Sequence, residues 1–180
     1  DGMTQNLHTH TRFDDGKNTA AEMAEAAVSA GLSSLGFSAH SPLTFPDDWY
    51  LQPENVPKYR AEIERLREVF RGRLEIWCGL EWDAYSPLLP GTWDFVIGSL
   101  HHIASGAAHP SADSSEEETD AYLAQFFAGD SDRAAEAYFA QYEAIAREPA
   151  VDIVAHFDLL TKFDEPRPHF FPAHDRYREA

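Results

Sequence analysis

Residues 19–40 read TAAEMAEAAVSAGLSSLGFSAH, and this stretch decides the fold. Thr19 and Glu22 have capping-box spacing, in which a hydroxyl and a carboxylate each satisfy a helix-terminal N–H. Met23, Ala26, Ala27 and Ala30 then recur on one helical face, and Gly31 is placed to end the helix. Leu35 to Ala39 follows as a short apolar strand with His40 at its carboxyl end. A capped helix that runs through a glycine into an apolar strand is one unit of a βα-repeating fold with a largely parallel sheet.

The same alternation extends both ways. Upstream, Met3 to His10 reads as a first strand leading into the turn-like Asp14-Asp15-Gly16-Lys17-Asn18. Downstream, a helix entered at Pro57 puts Tyr59, Ile63, Leu66 and Phe70 on one face before Gly72 stops it. Strands are expected at Leu74 to Leu80, Asp94 to Leu100 and Val151 to Ala155. Helices are expected over about Glu116 to Phe127 and Asp132 to Arg147, the second with Tyr138, Tyr142 and Ile145 as its apolar stripe. Ala104 to Ser115 is small and polar and reads as a loop.

Composition narrows the function. At 180 residues and 43% hydrophobic content the chain is expected to form a single domain, residues 1–180. No run reaches the roughly 18 apolar residues of a membrane span, and the N-terminus lacks the sections of a secretory signal, so a cytoplasmic protein is expected. A net charge of −17, from 31 acidic against 14 basic residues, disfavours nucleic acid and anionic membranes as partners. A small phosphorylated substrate is compatible with that charge where bound cations reverse its sign locally. The one cysteine, Cys78, lies in an apolar run and reads as a core thiol.

Against this map the positions of the histidines become informative. His8 and His10 are two residues apart in the first expected strand, so both side chains face one way with α-carbons about 7 Å apart. His40 follows the second strand, Glu81 the third, His101 the fourth and His156 the fifth. In a parallel sheet these residues share one carboxyl edge, where βα folds build their sites. Any one of them alone reads as an ordinary hydrogen-bonded residue; their recurrence in register reads as a metal centre. Asp15, with Asp14 as its competitor, adds a further candidate ligand. His102 neighbours His101, and alternation along a strand allows only one of the two into a site.

The motifs resemble the PHP-domain phosphoesterases, and within them most closely the monofunctional histidinol-phosphatases. Asn6-Leu7-His8-Thr9-His10-Thr11-Arg12-Phe13 with Asp15-Gly16-Lys17 is similar to the first motif, and Leu35-Gly36-Phe37-Ser38-Ala39-His40-Ser41-Pro42 to the second. Gly79-Leu80-Glu81-Trp82-Asp83, Gly98-Ser99-Leu100-His101 and His156-Phe157-Asp158-Leu159-Leu160-Thr161-Lys162-Phe163 are similar to the third, fourth and fifth. The resemblance implies an α/β fold, a distorted (β/α)7 barrel, here incomplete with about five parallel strands. It further implies hydrolysis of L-histidinol phosphate to L-histidinol and phosphate in histidine biosynthesis, with two to three divalent ions. On that resemblance His8, His10 and Glu81 bind a first ion, Glu81 bridges to a second held by His101 and His156, and Asp15 and His40 hold a third; Glu81, His101 and His156 are the catalytic candidates. The family's later Ser-Asp-Ala-His type motif has no counterpart, and His174-Asp175 does not match it. A C-terminally truncated member is therefore expected, with the first and third ions short of a ligand.

Imidazole and carboxylate ligands together suit zinc, iron or manganese better than magnesium. Adjacent ions of that kind acidify a bridging water and neutralise phosphate charge, so no covalent enzyme intermediate is needed. Arg12 and Lys17, beside the first expected strand, are candidate phosphate-binding cations. Gly36-Phe37-Ser38-Ala39-His40 is not a nucleophile elbow, since His replaces the second glycine. Two alternatives stay open: a PHP phosphodiesterase acting on nucleotides or nucleic acid ends, and a catalytically incomplete metal-binding fragment.

Overall fold

The computed structural model describes residues 4–87, 93–103, 110–165, 168–170 and 173–180. Met3 and residues 104–109 of the expected polar loop lie outside the described residues. The fold is α/β, with a five-stranded parallel sheet of order β1-β2-β3-β4-β5, consistent with an incomplete (β/α)7-like barrel of PHP type. The chain divides into two compact units, residues 1–98 with 149–153 and residues 99–148 with 154–180.

The first unit is built on strands β1 (Gln5–Asn6), β2 (Ser34–His40) and β3 (Glu75–Asp83), with most of β4 (Val96–Ser99) and the start of β5 (Ile153–Val154). Helix α1 (Ala20–Ser29) begins at Thr19, whose hydroxyl accepts the Glu22 N–H while the Glu22 carboxylate accepts the Thr19 N–H. It ends before Gly31, whose φ of 78° is the left-handed geometry that glycine adopts without steric cost. Its buried face is Ala20, Ala24 and Ala27; of the expected stripe, Ala27 is buried and Met23 packs against the core, while Ala26 and Ala30 lie exposed. Helix α2 (Val56–Val69) buries Tyr59, Ile63 and Leu66, with Phe70 just past its end, as the sequence periodicity predicts. These side chains join Leu35, Phe37, Ala39, Leu74 and Ile76 in one core.

Strands β2 and β3 pair in parallel from Ser34↔Glu75 to His40↔Glu81. Phe95 packs over this pair: a Cβ on Gly79 would stand 2.4 Å from its ring, and one on Gly36 2.7 Å. Glycine at these two positions is therefore a packing requirement, because only a missing side chain lets the ring lie against the sheet.

The second unit holds helices α3 (Glu116–Phe127), α4 (Ser131–Ala146) and α5 (Asp175–Glu179). Ser115 and Asp130 cap α3 and α4 by accepting the N–H groups of Glu118 and Arg133. Tyr138, Tyr142 and Ile145 form the buried stripe of α4, as expected. His174 stands at the start of α5 with Nδ1 3.2 Å from Asp132. Among the described residues, no helix is long and apolar enough to cross a membrane.

Candidate metal centre

One correction to the sequence reading bears on the site. The first strand is only Gln5–Asn6, so His8 and His10 lie beyond it rather than within it. The pleat argument for their common direction does not apply, yet the two rings are brought together, with centroids 5.1 Å apart. What positions them is a link to the neighbouring strand: the Ser38 N–H donates to the Thr9 carbonyl at 3.0 Å, and the Ser38 hydroxyl accepts the Thr9 N–H at 3.1 Å. Thr9 is thereby buried between the two histidines.

His40 ends β2 and is the register partner of Glu81, which lies inside β3 rather than after it. The two strand ends are fixed by a buried Tyr59, whose hydroxyl donates to the Gly79 carbonyl at 3.0 Å and accepts the Ala39 N–H at 3.3 Å. Burial pushes the Tyr59 phenol well above its ordinary value, so it stays a donor. Beyond the strand ends, the Ser41 N–H donates to the Glu81 carbonyl, and the Ser41 hydroxyl accepts the Asp83 N–H.

The result is a convergence on one carboxylate oxygen. Glu81 is fully buried, and its Oε2 lies 2.9 Å from His8 Nε2, 3.3 Å from His10 Nε2 and 3.0 Å from His40 Nδ1. The rings of His10 and His40 stack at 4.2 Å. His10, Asp14, Asp15 and His40 form a second group, each offering a ligand atom within 4.8 Å of the others. Asp15 is half exposed, with Oδ1 3.8 Å from both His10 Nδ1 and His40 Nε2; Asp14 is buried and hydrogen-bonded to His10 Nδ1 at 2.7 Å. Burial works against a charge on His10, but the Asp14 and Glu81 carboxylates outweigh it and lift its pKa to about 10.

Three imidazoles facing one buried carboxylate, with further carboxylates alongside, are a nitrogen and oxygen donor set that fits zinc, iron or manganese. The clusters are those of a site for divalent cations. Arg12 and Lys17 are both exposed, and Arg12 Nε donates to the Lys17 carbonyl at 2.8 Å, closing the loop that carries Asp14 and Asp15.

In the second unit His101 and His156 are neighbours, with ring centroids 5.2 Å apart, and each lies two residues past a strand end. His101 and His102 are both buried; His102 forms a bridge to Ser111. Asp113, which no motif signalled, is close to His101. Burial raises its pKa, but His101 and Lys162 overcome that and hold the carboxyl below its usual range. Lys162 Nζ donates to the Asp113 carbonyl and carboxylate, both at 3.1 Å. Cys78 is partly rather than fully buried, and burial still pushes its thiol up to about 12, which leaves it protonated and unreactive.

Comparison with known proteins bears on the family and the fold. The PHP domain family model matches residues 6–180. A protein of Deinococcus radiodurans named as a probable histidinol-phosphatase is 32% identical over 177 residues, which cover 89% of this chain and 63% of that protein. The chain thus spans less than two thirds of that relative's length. Among solved structures, HisK of Listeria monocytogenes superposes with a TM-score of 0.73 at 21% identity, over 90% of this chain and 70% of that one. A histidinol phosphate phosphatase of Lactococcus lactis, solved with zinc, L-histidinol and phosphate, gives a TM-score of 0.66 at 22% identity, over 89% and 60%. At these identities the structural likeness speaks for the fold.

Proposed function

Since the chain belongs to the PHP domain family, we propose that it is a metal-dependent phosphomonoester hydrolase acting on L-histidinol phosphate. The observation that carries the reading is the approach of His8, His10 and His40 to a single oxygen of the buried Glu81. A carboxylate without solvent is stabilised by cations and N–H donors, and three imidazoles on one of its oxygens is the arrangement of ligands around an ion. The substrate is taken from the name of the Deinococcus relative and from the motif resemblance. That substrate goes with cytoplasmic histidine biosynthesis. The two units are read as one PHP domain, because the family model runs through both.

When bound, two to three zinc, iron or manganese ions supply Lewis acidity and a water acid enough to serve as nucleophile at neutral pH. His8, His10 and Glu81 hold one ion, and Asp15 and His40 hold another. His101 and His156, paired in their own unit, are assigned as ligands by the fourth and fifth motifs. Glu81 offers its buried carboxylate to the ion and orients the imidazoles. Arg12 and Lys17, on the exposed side of the loop after β1, are the proposed cations for the substrate phosphate.

The test is phosphate release from L-histidinol phosphate and from nucleotides, set beside p-nitrophenol release from bis(p-nitrophenyl) phosphate, with metal content measured by plasma mass spectrometry. At least about one equivalent of zinc, iron or manganese per chain is expected, lost in Glu81→Ala and in His156→Ala, with histidinol phosphate the preferred substrate. Preference for the diester assigns the phosphodiesterase chemistry instead, and preference for nucleotides removes histidinol phosphate as the substrate. A folded protein without metal reduces the chain to an inactive relative.

A further inference from the structure

We infer that Asp14 is a positioning residue of the metal centre: its buried carboxylate grips His10 by Nδ1 and His40 by its backbone N–H, so that His10 offers Nε2 to the ion. The inference rests on the metal reading above and adds to it a residue that neither the histidine spacing nor the family motifs assign.

Both oxygens of Asp14 are already committed. Oδ2 lies 2.7 Å from His10 Nδ1 and accepts the His40 N–H at 3.1 Å, while Oδ1 accepts the Thr11 N–H at 2.9 Å. The Asp14 side chain is 0% exposed, against 49% for Asp15. Coordination through Oδ2 would compete with the His10 and His40 contacts already made there. Kept as it is, that contact fixes the tautomer and the ring plane of His10 and raises the basicity of Nε2, the atom 3.3 Å from Glu81 Oε2. The same carboxylate ties the segment after β1 to the end of β2, so two ligands from distant parts of the sequence share one anchor. The anchor is itself held by the loop. The N–H groups of Asp14 and Gly16 both donate to the Thr11 carbonyl at 3.0 Å, and a Cβ on Gly16 would stand 2.4 Å from the Thr11 nitrogen. Only glycine at position 16 lets the turn close and bring Asp14 inward.

The experiment titrates zinc into the full chain and its Asp14→Asn and Asp14→Glu variants against a chromophoric chelator, and records the histidine nitrogen spectrum of the zinc-loaded parent. The expected result is an unchanged number of zinc equivalents in Asp14→Asn, with the tightest ion weakened about 10–100-fold. His10 in the zinc-loaded parent is expected to be coordinated through Nε2 and to carry a slowly exchanging proton on Nδ1. Loss of a whole equivalent at saturating zinc in Asp14→Asn makes Asp14 a ligand and overturns the inference. Unchanged zinc affinity with a lowered melting temperature of the chelated variant also overturns it, by reducing Asp14 to a fold residue. If the variants do not fold, the parent spectrum decides, and His10 bound through Nδ1 is the overturning result. A parent that takes up no zinc ends the metal reading itself and this inference with it, whereas the other adverse outcomes remove only the role of Asp14.

Discussion

At the scale of single residues, the site is a set of side chains whose charges depend on one another. His10 shows this in the metal-free chain. Its folded-state pKa of about 10 stands above the ordinary 6.5, so the proton it gains on folding stabilises the fold. That contribution is complete below about pH 6.5 and is lost as the pH rises toward 10. The urea midpoint of the chelated protein is therefore expected to fall between pH 6.5 and 10, and to fall less in His10→Gln. A metal competes with the same proton, so zinc binding should release protons, seen as a buffer-dependent binding enthalpy in calorimetry. Equal midpoints at pH 6.5 and pH 10 would mean that Asp14 and Glu81 do not hold the imidazolium.

At the scale of elements, the site depends on how closely β2 and β3 can be covered. Phe95 occupies the space that side chains at positions 36 and 79 would otherwise take. Gly79→Ala forces a shift of the ring or of the strand, and the expected cost is about 1–3 kcal/mol of stability. Because Tyr59 bonds the Gly79 carbonyl two residues before Glu81, the same substitution is expected to weaken metal binding as well. Thermal melts with and without zinc separate the effects; a Gly79→Ala protein that melts like the parent would show that Phe95 moves aside freely. The helices were the most legible elements. The Thr19 and Glu22 capping box, the glycine stop at Gly31 and the stripe of Tyr59, Ile63, Leu66 and Phe70 appear as read, because capping and helical periodicity are local properties. The alanine face of α1 was legible only in part, with Ala27 buried and Ala26 and Ala30 exposed, since small side chains give a weak apolar signal. The reach of β1 was also misread, since alternating polar and apolar residues fit an extended chain whether or not it joins a ladder.

At the scale of the molecule, the charge of −17 supports an expectation about partners. Long-range repulsion should keep polyanions away while a small phosphate ester can still reach bound cations. A fluorescently labelled single-stranded oligonucleotide is accordingly expected to show no anisotropy change with the zinc-loaded protein at physiological salt. Binding that weakens steeply with added salt would instead mark a nucleic acid partner. The PHP family model runs through both compact units.

By itself the sequence determined the βα alternation, the caps and stops of the helices, and which residue types recur at strand ends, because these follow from interactions within a few residues along the chain. It also determined the family, through motifs that keep His8, His10, Glu81, His101 and His156 in order. Only the tertiary structure decided how the parts meet. It buried the Asp14 carboxylate and left Asp15 half exposed beside the same histidines, put Tyr59 across the ends of β2 and β3, and brought three imidazoles to one oxygen of Glu81. Adjacent aspartates are chemically alike in sequence. They differ once backbone N–H groups from Thr11 and His40 converge on one of them, and that convergence is a property of the fold.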